Sequence, residues 1–154
     1  MHKKNQWKWS ILVAAIIIAV GFVGIRNFLS NEKPLYGETV ETIKTKIKLG
    51  LTKEEVKSSL GDDITAIKNS MDDSEMWRYD IEAKENYTSP DDEYDMGDIE
   101  GLKNGELKIQ LFIQWNSKDT VEWYSALYLN ESDGKVYDYR VMSNGEAKEK
   151  AITK

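Results

Sequence analysis

The chain has 154 residues, a net charge of −6 and no cysteine. This length holds one ordinary domain, and without cysteine there is no disulfide framework, thiolate metal site, cysteine nucleophile or lipidated cysteine. The charge is unevenly spread: Lys3, Lys4, Lys8 and Arg26 are the only charged residues among the first 29, so the rest carries 17 of the 21 basic residues against 27 acidic ones, a net of −10. A domain that acidic repels nucleic acid and anionic headgroups, which argues against nucleic-acid binding.

Trp9 to Ile25 (WSILVAAIIIAVGFVGI) is 17 residues without a charge, and apolar character resumes at Phe28 and Leu29. At about 1.5 Å per residue, Trp9 to Leu29 spans about 30 Å, the thickness of a hydrocarbon core. Trp9, Ile11, Ile17, Phe22 and Leu29 mark this expected transmembrane helix, which is apolar on every side, unlike an amphipathic core helix. A cleaved secretory signal is the rival reading, but no A-x-A site follows, and the run is longer than the usual 7–15 residues. Lys3, Lys4 and Lys8 before the segment, against Arg26 and Lys33 after it, place the short tail in the cytoplasm. The expected organisation is a cytoplasmic tail over 1–8, an anchor over 9–29, a linker over 30–36 and an extracytoplasmic domain over 37–154 at the cell membrane.

Pro34 and Gly37 break regular structure in the linker. Val40, Ile43 and Ile47 then form one stripe of a short helix ending at Gly50. Thr52 and Glu55 form a capping box for a second helix, with Val56 and Leu60 on its buried side and Gly61 past its end. Beyond Ser70 the period becomes two. Trp77, Tyr79 and Ile81 mark one strand; Leu107, Ile109, Leu111, Ile113 and Trp115 a second; Val121, Trp123, Leu127 and Leu129 a third; Val136 to Met142 a fourth. Asn116 to Thr120 (NSKDT) joins the second and third as a hairpin. The predicted fold class is α+β: after the N-terminal transmembrane helix, two short helices packed on one face of a four-stranded antiparallel sheet.

Gly50-Leu51-Thr52-Lys53-Glu54-Glu55-Val56 through Leu60-Gly61 resembles the helix-turn signature of the SmpA/OmlA group, BamE-like domains of the β-lactamase-inhibitory-protein-like fold. The aromatic pair Trp77 and Tyr79 and the turn Asp133-Gly134-Lys135-Val136 extend the likeness over roughly residues 38–142. The resemblance implies a small extracytoplasmic binding module rather than an enzyme. The chain departs from that pattern in lacking the lipid-carrying cysteine, in having one copy of the domain, and in a long acidic insertion from Lys84 to Leu102.

The only histidine, His2, lies in the predicted tail, so the domain can build no Ser-His, Cys-His or His-metal constellation. Two carboxylates could still serve glycoside cleavage, but the sequence nominates no pair. Asp91, Asp92, Glu93, Asp95, Asp98 and Glu100 raise a calcium reading, yet an EF-hand loop starting at Asp91 puts Met96 where glycine is needed and Leu102 where glutamate is needed. A solvated acidic loop is the expectation, with no catalytic, cofactor or metal residue.

The function these features favour is a membrane-anchored interaction module contacting another envelope protein or a wall component. The alternative is an inhibitor or immunity-type protein acting on a secreted enzyme or toxin. Alternation along the second and third strands predicts that Phe112, Tyr124 and Tyr128 point away from the helices and form a ring-rich partner surface, unless the acidic insertion covers them.

Overall fold

A computed structural model describes residues 39–152. Thr39 opens helix α1 (Val40–Lys46) by accepting the Thr42 N–H on its hydroxyl, which satisfies an otherwise unpaired donor of the first turn. Helix α2 (Lys53–Leu60) carries the predicted capping box in full: the Thr52 hydroxyl accepts from the Glu55 N–H, and the Glu55 carboxylate accepts from the Thr52 N–H. Gly61 ends the helix at φ +91°, in the region that glycine enters without a Cβ clash, and its N–H bonds Lys57 O.

Six strands follow in a sequential antiparallel meander: β1 (Thr65–Lys68), β2 (Glu75–Ile81), β3 (Ile109–Trp115), β4 (Val121–Asn130), β5 (Lys135–Val141) and β6 (Ala147–Ala151). A third helix, α3 (Ile99–Lys103), lies in the acidic insertion between β2 and β3. The expectation of a transmembrane helix followed by two helices and four strands is therefore corrected to three helices and six strands among the described residues. The two strands missed are short or polar. β1 buries only Ile67, and β6 reads AKEKA with four exposed residues, so neither shows the alternation that marks a half-buried strand.

Among the described residues no helix is long and apolar enough to cross a membrane. The expected span from Trp9 to Leu29, with Ile11, Ile17 and Phe22, lies outside the described residues, as do the expected tail and linker.

One face of the sheet packs on α1 and α2. Ile43, Ile47, Val56 and Leu60 meet Tyr79, Leu111 and Ile113, and all are at most 2% exposed. Trp77 and Trp115 meet edge to face at 4.7 Å, beneath the Lys53 ammonium. Burying each large side chain of this kind contributes roughly 1.5–3 kcal/mol.

The opposite face is covered as well. Ile99 and Leu102 of α3, with Leu107, pack on Met76, Phe112, Leu127 and Val136. All seven residues of β3 are consequently buried, where the alternation predicted a half-buried strand. The insertion comes so close at Gly97 that an added Cβ would lie 2.2 Å from Leu127 Cδ1.

Polar groups pin this second layer down. Arg78 donates to Asp80, to the Asp91 carbonyl and to Asp92. Gln110, fully buried, accepts the Asp98 N–H at 2.7 Å and donates to Asp80 at 2.8 Å. The Arg78 guanidinium and the Gln110 amide thus have partners, without which their burial would cost about 1–3 kcal/mol, whereas the buried Trp115 indole N–H has none among the described residues.

Candidate functional site

β3 and β4 pair Ile113 with Tyr124, Phe112 with Ser125 and Ile109 with Tyr128. Tyr124 and Tyr128 therefore lie on the helix-bearing face with Ile113 and Ile109, whereas Phe112 lies on the other. The predicted common surface of Phe112, Tyr124 and Tyr128 does not form: Phe112 is 3% exposed beneath the insertion, Tyr124 is 2% exposed, and Tyr128 alone is half-buried. The cause is a bulge. Trp115 pairs with Val121 but Gln114 pairs with Trp123, leaving Glu122 as an extra residue. Every later β4 side chain therefore faces opposite to what alternation counted from Val121 predicts.

Tyr128 has different neighbours from those predicted. It stacks on Tyr137 of β5 at 6.0 Å between ring centroids, and Tyr139 stands next along the same face, under the Lys44 ammonium at 4.5 Å. All three tyrosines are half-buried. The Tyr128 hydroxyl donates to Glu149 at 2.8 Å, and Lys44 bridges Glu41 and Glu149 at 2.8 and 2.9 Å. The hydrogen bonds from Lys44 and Tyr128 hold the Glu149 carboxyl below its ordinary range. Burial, then the bond to Glu149, pushes the Tyr128 hydroxyl up to about 12. The result is a partly open aromatic cluster with a charged rim.

A second feature lies on the opposite face at the other end of β4. A cleft of about 410 Å³ opens between the β1–β2 turn, the end of β3 and the bulge of β4. Its base is a fixed amide network: Gln114, 4% exposed, accepts from Asn69 Nδ2 at 3.0 Å and donates to Ser74 Oγ at 3.0 Å. On the turn, the Ser74 hydroxyl and amide both donate to Asp72, and these bonds hold its carboxyl below the usual range. Asn116, in the hairpin, accepts the Lys118 and Thr120 N–H groups.

On the bulge side the side chains lack partners among the described residues. The Glu122 and Ser117 side chains make no hydrogen bond or ion pair among the described residues, and neither does the indole N–H of the half-buried Trp123. Arg140 sits over the Trp123 ring at 5.2 Å. Neither Glu122 nor Trp123 stands out in the sequence as a site, because the bulge that places them is visible only in the strand register.

The acidic insertion uses its carboxylates locally. Asp91 accepts the Glu93 and Tyr94 N–H groups, Asp92 pairs with Arg78, Asp95 accepts the Ser70 N–H, and Asp98 caps α3 by accepting the Gly101 N–H. Among the described residues no group of three or more acids and histidines converges as a metal site.

No protein-family model, curated protein or solved structure matches the chain.

Proposed function

We propose that this protein is an extracytoplasmic protein-interaction module of the cell envelope, held at the cell membrane by the segment from Trp9 to Leu29. The cluster of Tyr128, Tyr137 and Tyr139 carries the reading. Tyrosines offer large contact area with few rotors to immobilise, and an aromatic centre ringed by charge has the anatomy of an interface hot spot. Three half-buried tyrosines on adjacent strands, rimmed by Lys44 and Glu149, supply that arrangement. The resemblance of Gly50 to Gly61 to the SmpA/OmlA signature supports a binding role in the envelope. A non-enzymatic role rests on sequence: His2 is the only histidine and there is no cysteine.

Crosslinking the intact chain in its own membrane, followed by identification of the captured protein, tests the proposal. Tyr128→Ala with Tyr137→Ala should reduce capture of an envelope protein on the order of tenfold, the equivalent of about 1.4 kcal/mol. Undiminished capture by a folded double variant removes the cluster from the interface, and capture of a secreted enzyme or toxin favours the inhibitor reading. Protease added to spheroplasts should degrade residues 37–154; full protection of the domain reverses the proposed orientation.

A further inference from the structure

The cleft beside the β4 bulge is separate from the tyrosine cluster, lying on the opposite face of the sheet and at the opposite end of β4. Its volume of about 410 Å³ falls within the range of small-molecule pockets, about 300–1,000 Å³. The base is preorganised, because the side chains of Gln114, Asn69 and Ser74 are already bonded to one another. The wall is open to a ligand: the exposed Glu122 and Ser117 side chains and the Trp123 indole N–H have no partner among the described residues. The bulge produces this arrangement by adding Glu122 to the strand just before Trp123.

The chemistry of the lining narrows the ligand. Carboxylates at Asp72 and Glu122 repel an anion. A cation would seek the face of Trp123, but the Arg140 guanidinium already stands 5.2 Å from that ring, and its charge opposes a second cation there. A cage for a cation also needs several rings, whereas most of the remaining lining consists of amides and hydroxyls. A neutral polyhydroxyl molecule meets none of these objections. Its hydroxyls can donate to Glu122 and Asp72 and accept from Ser117 and from the Trp123 indole N–H at the ring's edge, without needing the ring face over which Arg140 stands. The geometry points to a saccharide-binding cleft, in which the Trp123 indole N–H, Glu122, Ser117 and Asp72 read the hydroxyls of a neutral glycan.

Nuclear magnetic resonance of the full chain in detergent micelles tests this, with the Trp123 indole N–H resonance assigned by its loss in Trp123→Phe. The probes are the linear hexamers of N-acetylglucosamine and of glucose, with hexalysine as the cationic comparison. Millimolar amounts of at least one sugar hexamer should shift the Trp123 indole signal, and Glu122→Gln should weaken that binding on the order of tenfold. Glu122 is exposed, so this variant keeps the fold even if changes at Trp123 disturb it. No shift with either hexamer, a shift with hexalysine alone, or sugar binding unchanged in Glu122→Gln overturns the proposal. Tyr128→Ala with Tyr137→Ala should leave sugar binding intact, so failure here and failure of the tyrosine interface are separate results.

Discussion

Arg78 Nη2 lies 2.6 Å from the Asp92 carboxylate and joins the second strand of the sheet to the acidic insertion, the Arg78 side chain being 2% exposed and that of Asp92 59%. The asymmetry decides what each partner contributes. Arg78→Ala removes the guanidinium that donates to Asp80 and the Asp91 carbonyl beneath the insertion, leaving Asp80 only its bond from Gln110, and should cost about 2–4 kcal/mol. Asp92→Asn touches only the exposed end of the network and should cost under about 1 kcal/mol. Urea midpoints of the two variants check the ordering, and equal losses contradict it.

The two rings hidden on opposite faces of the sheet should behave as core, not as surface. Phe112→Ala is expected to destabilise by about 3–5 kcal/mol, and Tyr124→Ala by a similar amount. Tyr137→Ala, on the half-buried rim, should cost under about 1 kcal/mol. Chemical denaturation distinguishes the cases: a Phe112→Ala protein as stable as the parent would mean that α3 and the insertion do not cover this face.

Legibility in the sequence followed the strength of each local signal. The capping box of Thr52 and Glu55 and the end at Gly61 are written in three side-chain and backbone requirements within ten residues, and they formed as expected. The four strands with alternating apolar residues were also present, because a buried face imposes period two. Facing was lost at Glu122, since a single bulge residue inverts every position after it, and nothing local in Val121-Glu122-Trp123 announces it. The acids of the insertion predict a solvated loop, but Ile99 and Leu102 bury while Asp98, Asp91 and Asp92 satisfy backbone and arginine donors. The cleft gathers Asn69, Gln114 and Trp123 from three separated segments, a proximity that only the sheet register creates.

Those occupied acids also bear on calcium. Converting the insertion to a calcium site would require Asp91, Asp92 and Asp98 to abandon an Asx turn, a buried guanidinium and a helix cap. Millimolar calcium should therefore leave the melting temperature unchanged. A rise that scales with calcium concentration, as preferential binding to the folded state requires, would show that the acids rearrange.

Alkaline pH should unfold the domain through its tyrosines. Burial pushes the hydroxyls of Tyr79 and Tyr124 up, and that of Tyr128 up to about 12, from an unfolded value of 10.0. A folded value above the unfolded one means that the native state holds the proton more tightly. The associated stability is complete below about pH 10 and is lost as pH rises through the folded values. Glu149 has the opposite sign: held low by Lys44 and Tyr128, it contributes above its unfolded value of 4.5 and loses that contribution as pH falls. Urea midpoints measured across the alkaline range should fall steeply. Tyr128→Phe removes one titrating hydroxyl, so its midpoint should fall less steeply over the interval between the unfolded and folded values of Tyr128. An identical slope in parent and variant would show that Tyr128 ionises as freely in the folded protein as in the unfolded chain, and that its bond to Glu149 contributes nothing at high pH.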